Sequence, residues 1–279
     1  MSFHEVIIKG GLGNQIFCLF HAYKLSLKTN ETISLNLSNY SFGNRKEDRS
    51  FILDLLYPPL LDQFRISKNS FSKILYLFSR IYEKFLVKKN NNYLPGDDPF
   101  LINYWKNRYI HSGYFQKINE SEWDKKSFKL IKKRFFPYIN KKKYNYLAIH
   151  IRRGDYLTQK HSMHGIIHER YFLDEARNFL SENYYEGIRI FSDSPELLEK
   201  NIFRKLHKNI IIDEGGQPIE VFKRMANHKG LIASNSSFSL WAGILGNIKY
   251  FSIPYFWMKN VKSSIIGLDY IPRYKCEIK

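Results

Sequence analysis

Residues 146–157 read YLAIHIRRGDYL, in which an apolar strand candidate ends in a histidine, two arginines, a glycine and an aspartate. Further apolar strand candidates follow at 188–191, 209–212, 230–233 and 250–253. Helical patterns separate most of them, at 169–181, 195–206, 218–227 and 237–245. Strands that alternate with helices in this way predict βαβ units and a parallel sheet, which is an α/β fold class.

The amino-terminal part of the chain begins with a similar pattern. A strand candidate at 5–9 (EVIIK) is followed by the glycine loop GGLGNQ and by helical apolar spacing at 14–27. Residues 32–38 predict a second strand. Lysines and aromatic residues interleave in the following stretch, where we predict a helix around 73–87 and a loop at 94–99.

The two parts of the chain are joined by a basic, aromatic stretch at 125–144, which we take as the domain junction. We therefore predict an N-terminal domain at 1–140 and a C-terminal domain at 141–279. Solvated helix faces would explain the run of lysines, and so would a surface that faces an anionic membrane.

The composition indicates a globular protein with an excess of positive charge. Hydrophobic residues make up 44% of the 279 residues, and the formal net charge is +18. Such a charge attracts polyanions, which include nucleic acid, phosphorylated ligands and anionic membranes. The two cysteines, Cys18 and Cys276, imply neither a disulfide framework nor a cysteine metal site. Because the sequence shows no signal peptide and no long apolar run, we expect a cytoplasmic protein whose membrane contact is at most peripheral.

Polar residues stand at the carboxyl ends of the predicted strands, where ligands of parallel sheets bind. The first cluster is the loop after the first strand, with Gly13, Asn14 and Gln15. Glycines let the backbone approach a ligand closely, and the following helix offers N–H groups to an anion. The loop matches neither a phosphate-loop motif nor a dinucleotide fingerprint, so a ligand loop and a simple tight turn both stay open.

The second cluster contains His150, Arg152, Arg153 and Asp155. The planar guanidinium group of arginine suits bidentate contact with phosphate. Because successive strand residues point to opposite faces, we expect one arginine to meet the ligand and the other to bond a carboxylate such as Asp155. An adhesive role for the Arg-Gly-Asp string is disfavoured, since the string follows a buried strand.

The third and fourth clusters follow the strands at 188–191 and 230–233. In the third, Asp193 can accept hydrogen bonds from a ribose or a base, while Ser194 before a proline is typical of a helix cap. The fourth is the small polar run SNSS at the start of an apolar helix, where hydroxyl and backbone N–H groups can bind phosphate. Together the clusters predict a nucleotide-diphosphate conjugate as the ligand. The sequence has no D-x-D motif, so we expect no divalent metal ion.

The strings GGLGNQIF, HIRRGDY, FSDS and SNSSFSLWA, in this order, resemble those of the bacterial and animal α-1,2-fucosyltransferases. The HIRRGDY string is the most specific of them, whereas the LGNQ loop is shared more widely among enzymes that use GDP-fucose. The resemblance spans roughly residues 5 to 245, although the stretch at 39–140 resembles nothing that we can name. One departure is Leu240 before Trp241, where two tryptophans are common in the family.

The resemblance implies a GT-B-type fold, with two Rossmann-like domains and a deep cleft between them. It makes 1–140 the acceptor-side domain and 141–279 the GDP-sugar-binding domain. It implies an inverting transfer of L-fucose from GDP-β-L-fucose to the 2-hydroxyl group of a galactoside, with no cofactor or metal. By position, Arg152 would contact the β-phosphate with His150 beside it, and Asp193 would hold the guanosine end. Residues of all four clusters would bind the substrate: Asn14, Gly13, Gln15, Arg153, Asp193, Ser236, Ser237 and Phe238.

The group that removes the acceptor proton stays open. Asp155 is the candidate within the motif, while His161, His164 and Glu169 lie on the segment that follows it. An oxygen of the departing phosphate is a further alternative. We expect a catalytic role for Arg152, His150 and Asp155.

The resemblance also implies a place in surface-glycan synthesis. The acceptor would be an oligosaccharide or a lipid-linked glycan of O-antigen or capsule, at the inner face of the plasma membrane. A transferase that uses another nucleotide sugar is the nearest rival, and a basic nucleic-acid-binding protein is a more distant one. Because the special residues concentrate at strand ends rather than along one face, we expect an enzyme pocket and no nucleic-acid partner.

Overall fold

We describe the protein from a computed structural model of the 279-residue chain. The structure describes residues 2–41, 51–52, 62, 64–89, 99–116, 143–157, 164–246, 248–258, 261–262 and 273–274. It consists of two compact units, Met1–Phe135 and Phe136–Lys279. The predicted boundary between residues 140 and 141, and most of the predicted loop at 94–99, fall outside the described residues, so both stay predictions.

The first unit contains a five-stranded sheet. Its strands are β1 (Phe3–Ile7), β2 (Ser34–Asn36), β3 (Arg65–Ser67), β4 (Phe100–Trp105) and β5 (Arg108–Ser112). Their order across the sheet is β3-β2-β1-β5-β4. The only antiparallel pairing described in this sheet is that of β4 with β5. Sequence reasoning predicted β1 and β2 but left β3, β4 and β5 unassigned.

Among the described residues of this unit, two long helices and one short helix accompany the sheet: α1 (Leu12–Thr29), α2 (Ser38–Ser41) and α3 (Ser70–Lys89). The predicted helices at 14–27 and around 73–87 are confirmed as parts of α1 and α3. Helix α1 is buried along most of its first three turns, including Ile16, Phe17 and Phe20. Cys18 is also buried there and donates to the Gly113 carbonyl at 3.4 Å, so the cysteine packs as an ordinary core residue.

The second unit contains a six-stranded sheet. Its strands are β6 (Tyr144–Ile151), β7 (Gly187–Ser192), β8 (Ile210–Ile212), β9 (His228–Ile232), β10 (Tyr250–Pro254) and β13 (Arg273–Tyr274). Their order across the sheet is β13-β10-β9-β6-β7-β8, and every described pairing is parallel. Strands β11 (Phe256–Met258) and β12 (Val261–Lys262) form a separate antiparallel pair. All five strands predicted for this part of the chain are confirmed.

The described part of the second unit contains the helices α4 (Glu169–Glu182), α5 (Lys200–Arg204), α6 (Pro218–Ala226) and α7 (Ser237–Leu245). Three of the four predicted helices are confirmed, but the single helix predicted at 195–206 is wrong. A 3₁₀ turn at Pro195–Leu197 is followed by Leu198, whose extended backbone (φ −87°, ψ 126°) ends it. Leu198 packs against the hydrophobic core of the unit, and the chain resumes helical geometry only at α5.

The predicted α/β class is confirmed, because each unit combines helices with a parallel or mainly parallel sheet. The deep cleft predicted between the domains stays a prediction. None of the helices in the described ranges is both long enough and apolar enough to cross a membrane.

Candidate active site

The candidate site lies at the topological switch point of the second sheet. The chain passes from β6 to β7 and β8 on one side, and then returns to β9 and β10 on the other side of β6. The carboxyl ends of β6 and β9 therefore flank the crevice in which open parallel sheets bind ligands. Arg152 directly follows β6, and the small polar run 234–237 comes just after β9.

Arg152 is ion-paired with Asp193 across neighbouring strand ends. The Arg152 Nη1 atom lies 3.1 Å from Asp193 Oδ2, and the two side chains are 26% and 21% exposed. The other carboxylate oxygen, Oδ1, accepts a hydrogen bond of 2.9 Å from the Arg153 backbone N–H. One carboxylate thus fixes both the guanidinium group of Arg152 and the turn that follows β6. The predicted contact of Asp193 with guanosine stays a prediction.

Gly154 lets this turn pack against Asp193. A Cβ atom at Gly154 would overlap the Asp193 carboxylate and would lie 3.1 Å from the Ser194 hydroxyl oxygen. Only a residue without a side chain fits this position unless Asp193 moves. The predicted cap position of Ser194 before the 3₁₀ turn is confirmed, although its side chain makes no capping hydrogen bond.

Arg153 has a different environment from Arg152, as the strand geometry predicted. It is almost completely buried, and its Nη2 atom lies 2.7 Å from Glu169 Oε1 in the first turn of α4. Asp155 was the predicted carboxylate partner, but the described ion pair is with Glu169, and the Asp155 side chain lies outside the described part. This ion pair gives Arg153 a structural role, and its predicted contact with the substrate stays a prediction.

The ion pair also affects Glu169 as a candidate base. Partial burial raises the pKa of Glu169, but hydrogen bonds from its backbone N–H and from Arg153 outweigh this effect and lower the pKa below its usual value. A carboxylate with a lowered pKa that is bonded to a buried arginine is a weak proton acceptor.

His150 is buried at the end of β6 and bonds the loop after β9. Its Nδ1 atom lies 2.9 Å from the Ser234 hydroxyl oxygen. Burial, together with the positive charge of Arg152, lowers the pKa of His150 to about 3. The imidazole is therefore neutral near pH 7 and acts here by tying two strand ends together. We predicted a catalytic role for His150, and its contact with Ser234 supports a positioning role.

Tyr156 forms a second connection between the two strand ends, and sequence reasoning did not single it out. Its hydroxyl group donates to the Asn235 carbonyl at 2.9 Å, and its ring stacks on His164 with centroids 4.9 Å apart. The Arg152 guanidinium carbon lies 5.6 Å from the centroid of the Tyr156 ring. The signal was present in the sequence, since Tyr156 is the last letter of the HIRRGDY string.

The amino end of α7 is suited to an anion. Ser236 occupies the N-cap position with an extended backbone, but its side chain makes no capping hydrogen bond. The first-turn N–H groups, which include those of Ser237 and Phe238, point out of the helix end and carry its positive dipole. Asn235 is used differently, because its amide donates to the His164 carbonyl at 2.8 Å and so holds the neighbouring loop.

In the first unit, Gln15 stabilises the glycine loop from within. Its amide nitrogen donates to the Gly10 carbonyl and its amide oxygen accepts from the Ile52 N–H, both at 3.1 Å. Gln15 is completely buried and holds the loop through these two bonds, while its predicted contact with the substrate stays a prediction. Gly10 has a φ of +80°, which favours glycine in this tight turn.

The other two predicted residues of this loop lie in the first turn of α1. Gly13 is buried, whereas Asn14 is half-buried and accepts a hydrogen bond of 2.7 Å from Gln116 through its Oδ1 atom. Their contact with a diphosphate or a sugar stays a prediction.

A polar cluster at the end of β8 was missed by sequence reasoning. Asp213 accepts two hydrogen bonds from the Arg224 guanidinium group, at 2.7 and 3.1 Å, and one from the Gly215 N–H at 3.0 Å. Gly215 and Gly216 both have positive φ angles. The string DEGG after an apolar strand is the signal that predicts such a turn. Among the described residues, no cluster of three or more histidine, cysteine or acidic side chains could hold a metal ion.

The second unit presents positively charged groups that are suited to an anionic ligand. A partly exposed guanidinium group and the amino end of a helix stand at two strand ends of the switch point. Hydrogen bonds from Tyr156 and between His150 and Ser234 connect these ends. Fixed positive charge of this kind binds a diphosphate and stabilises it further as negative charge develops during bond cleavage.

Comparisons with known proteins place this site in a family context. The family model described as "Glycosyl transferase family 11" matches residues 59–260, which include the clusters after β6, β7 and β9. An alpha-1,2-colitosyltransferase of Escherichia coli is 29% identical over 263 residues, covering 88% of this chain and 89% of its own length. The O-antigen biosynthesis glycosyltransferase WbnK of Escherichia coli is 27% identical over 304 residues, covering 94% and 97%. A crystal structure of POFUT1 in complex with GDP-fucose is 9% identical, with a TM-score of 0.45, and covers 90% of this chain and 97% of its own.

Proposed function

The chain belongs to glycosyl transferase family 11, and on this premise we propose that it transfers L-fucose from GDP-β-L-fucose to the 2-hydroxyl group of a galactoside. In this reaction the acceptor oxygen forms a bond to the anomeric carbon, and the bond from that carbon to the β-phosphate oxygen breaks. GDP leaves with the bonding electrons, and the single displacement inverts the anomeric centre to give an α-1,2 linkage.

The observation that carries this proposal is the position of Arg152 at the switch point. The residue is partly exposed, is oriented by Asp193, and is connected through Tyr156 to the loop that begins α7. A guanidinium group and a helix amino end together would neutralise the charge that develops on the departing diphosphate. These groups can supply that stabilisation without a metal ion, which fits the expected absence of a cofactor.

We propose Asp155 as the base that takes the acceptor proton. Glu169 is ion-paired with Arg153, and the pKa of about 3 leaves His150 a poor proton acceptor near neutral pH. His164 is stacked on Tyr156 and remains a second candidate, as does an oxygen of the departing phosphate.

A second donor is favoured by one specific observation. The relative that is 29% identical over 88% of this chain is an alpha-1,2-colitosyltransferase. Colitose differs from L-fucose by the absence of the 3-hydroxyl group, so one site can accept both sugars unless it hydrogen-bonds that hydroxyl. GDP-colitose is therefore the alternative donor within the same reaction class.

We further propose that the acceptor is an oligosaccharide or lipid-linked glycan of O-antigen synthesis, and that transfer takes place at the inner face of the plasma membrane. The name of the second relative, an O-antigen biosynthesis glycosyltransferase, supports the acceptor class. The net charge of +18 supports contact with an anionic membrane surface.

Donor identity can be tested by ligand stabilisation followed by a transfer assay. Ligands that bind the folded protein raise its unfolding temperature. We expect GDP and GDP-fucose to raise it, and UDP-galactose and duplex DNA to have no effect. Transfer from GDP-fucose and from GDP-colitose to a panel of galactosides, read by mass, then ranks the two donors. Stabilisation by UDP-galactose alone would contradict the proposed donor class, and stabilisation by DNA alone would favour the nucleic-acid rival.

A further inference from the structure

Helix α3 exposes an apolar stripe that no described part of the protein covers. At about 100° per residue, six large side chains fall within roughly one third of the helix circumference. All six are at least 45% exposed: Phe71, Ile74, Leu77, Phe78, Ile81 and Phe85. Contiguous exposed apolar surfaces of several large side chains mark sites of interaction with a protein or a membrane.

The orientation of α3 is fixed by polar contacts on its opposite side. Glu83 is buried there and accepts from Lys9, whose Nζ atom lies 3.4 Å from Glu83 Oε1. The Ser72 carbonyl accepts a hydrogen bond of 2.8 Å from the Asn36 side chain. Rotation of the helix to bury the stripe would expose hydrophobic residues such as Leu75 and break the buried Lys9–Glu83 ion pair. The stripe therefore faces outward because of the way the first unit is packed.

The charges on α3 indicate which partner the stripe fits. The helix carries five basic residues: Lys73, Arg80, Lys84, Lys88 and Lys89. Its single acidic residue, Glu83, is buried and bonded to Lys9 and Arg80. No carboxylate is exposed anywhere on this fully described helix. A second copy of the chain would bring like charges together, whereas an anionic lipid surface would attract them.

We propose that α3 is the membrane-binding surface of this protein, lying in the plane of an anionic bilayer with its apolar stripe among the acyl chains. An apolar face flanked by lysines is the pattern by which interfacial helices bind anionic membranes. This inference assigns a surface to the membrane contact that we proposed above. Its link to a lipid-linked acceptor rests on the proposed function. The binding itself depends only on the residues of α3.

The proposal is tested by sedimentation of the whole protein with vesicles of phosphatidylcholine, alone or mixed with phosphatidylglycerol. Ile81 is replaced by glutamate, and the matched control is Leu101→Glu on β4, which is exposed to a similar degree. Ile102 packs in the core against Leu75 and Tyr76 of α3. Because successive strand residues point to opposite faces, Leu101 lies on the other face of the sheet, away from α3. We expect the wild type to prefer the mixed vesicles. Ile81→Glu should bind them at least about tenfold more weakly, and Leu101→Glu should bind them as the wild type does.

A second pair of variants tests the charges. The double variant Lys84→Glu with Lys88→Glu is compared with Lys205→Glu and Lys208→Glu in the second unit, which changes the net charge equally at exposed positions. We expect only the α3 variant to lose the preference for phosphatidylglycerol. Equal losses in both would show that overall charge, rather than α3, causes binding, and would overturn the proposal.

Failure of this inference can be distinguished from failure of the proposed function. The α3 variants should transfer sugar to a water-soluble galactoside at the wild-type rate, because their substitutions lie outside the candidate site. Three results would overturn the assignment of α3 as a membrane-binding surface. Ile81→Glu could bind vesicles normally, or it could separate a dimer while vesicle binding persists. It could also unfold the protein, which would show that Ile81, although 66% exposed, is needed for folding. Absence of transfer by the wild type would instead count against the proposed reaction and leave the vesicle result standing.

Discussion

Arg152 and Asp193 form an ion pair, with Nη1 and Oδ2 3.1 Å apart, across the carboxyl ends of two neighbouring parallel strands. The strands β6 and β7 are paired in register up to Ile151 and Ser192, so the residue that follows each strand is held next to the other. Asp193 thereby orients the group that we place at the diphosphate. Its second oxygen binds the Arg153 backbone, which fixes the turn itself.

Replacement of Asp193 by asparagine should weaken transfer without unfolding the protein. Asparagine keeps an oxygen for the Arg153 N–H but removes the charge that orients Arg152. We expect kcat/KM for the donor to fall about 10- to 100-fold, the range given by loss of one charged hydrogen bond. Steady-state kinetics and an unfolding curve of the variant check both parts. A rate equal to that of the wild type would show that Arg152 needs no such support.

Gly154→Ala should disturb the same pair from the backbone side. The new methyl group would overlap the Asp193 carboxylate, so that either Asp193 or the turn must move. We expect a lower unfolding temperature and a loss of transfer of at least about tenfold. Gly11→Ala is the control for stability, because nothing lies within 4 Å of a Cβ atom there. Equal unfolding temperatures for the two variants would contradict this packing.

Glu169→Gln should separate a structural role from a catalytic one. The substitution removes the charge opposite the buried Arg153 but leaves the shape of the side chain nearly unchanged. Because an unpaired buried charge is costly, we expect a clear loss of stability with a kcat that changes less than about tenfold. Asp155→Asn provides the comparison, with a much larger loss of kcat at wild-type stability. A large loss of kcat in Glu169→Gln with no loss of stability would identify Glu169 as the base.

The stability of the protein should fall as the solution becomes acidic. In the first unit, His111 lies between two other histidines, with nitrogen–nitrogen distances of 3.0 Å to both His4 and His21. Burial is the main cause that lowers the pKa of His111 to about 4 and that of His21 to about 3. The folded protein therefore keeps these rings neutral, while the unfolded chain takes up protons below the ordinary histidine pKa of 6.5. Stability is fully present above this value and is lost as the pH falls from 6.5 toward 4 and 3.

Urea unfolding between about pH 7.5 and about pH 4.5 measures this effect. The variant His111→Gln should show a shallower dependence on pH than the wild type, because it removes one of the groups that must stay neutral. Identical slopes for the two proteins would show that the histidine cluster does not cause the acid sensitivity.

The apolar strands β6, β7, β9 and β10 could be predicted from sequence because most of their residues are buried on both faces of the sheet. The strands β3 and β4 could not. In β3 the buried residue is the polar Ser67, while the apolar Ile66 is exposed together with Arg65, which inverts the usual pattern. In β4 the exposed positions Leu101 and Trp105 are as apolar as the buried Ile102, so the alternation of period two disappears.

The residues of the candidate site also divide into those that sequence could predict and those that it could not. Residues that directly follow strands, such as Arg152 and Asp193, were identified because topology brings the ends of neighbouring parallel strands together. The partner of Arg153 was not identified, since Glu169 lies sixteen residues farther along on α4 and its position depends on how that helix packs. The two bonds that Gln15 makes within its own loop were not predicted either, because sequence alone cannot distinguish an amide that binds a ligand from one that bonds the backbone of its own loop.

The rate of transfer by Arg152→Ala tests the central claim most directly. If Arg152 stabilises the departing diphosphate, its removal costs transition-state stabilisation comparable to the loss of an oxyanion donor. We then expect kcat with GDP-fucose to fall on the order of 10²–10³-fold, with the unfolding temperature unchanged. Turnover near the wild-type rate in a folded Arg152→Ala variant would contradict the assignment of this site.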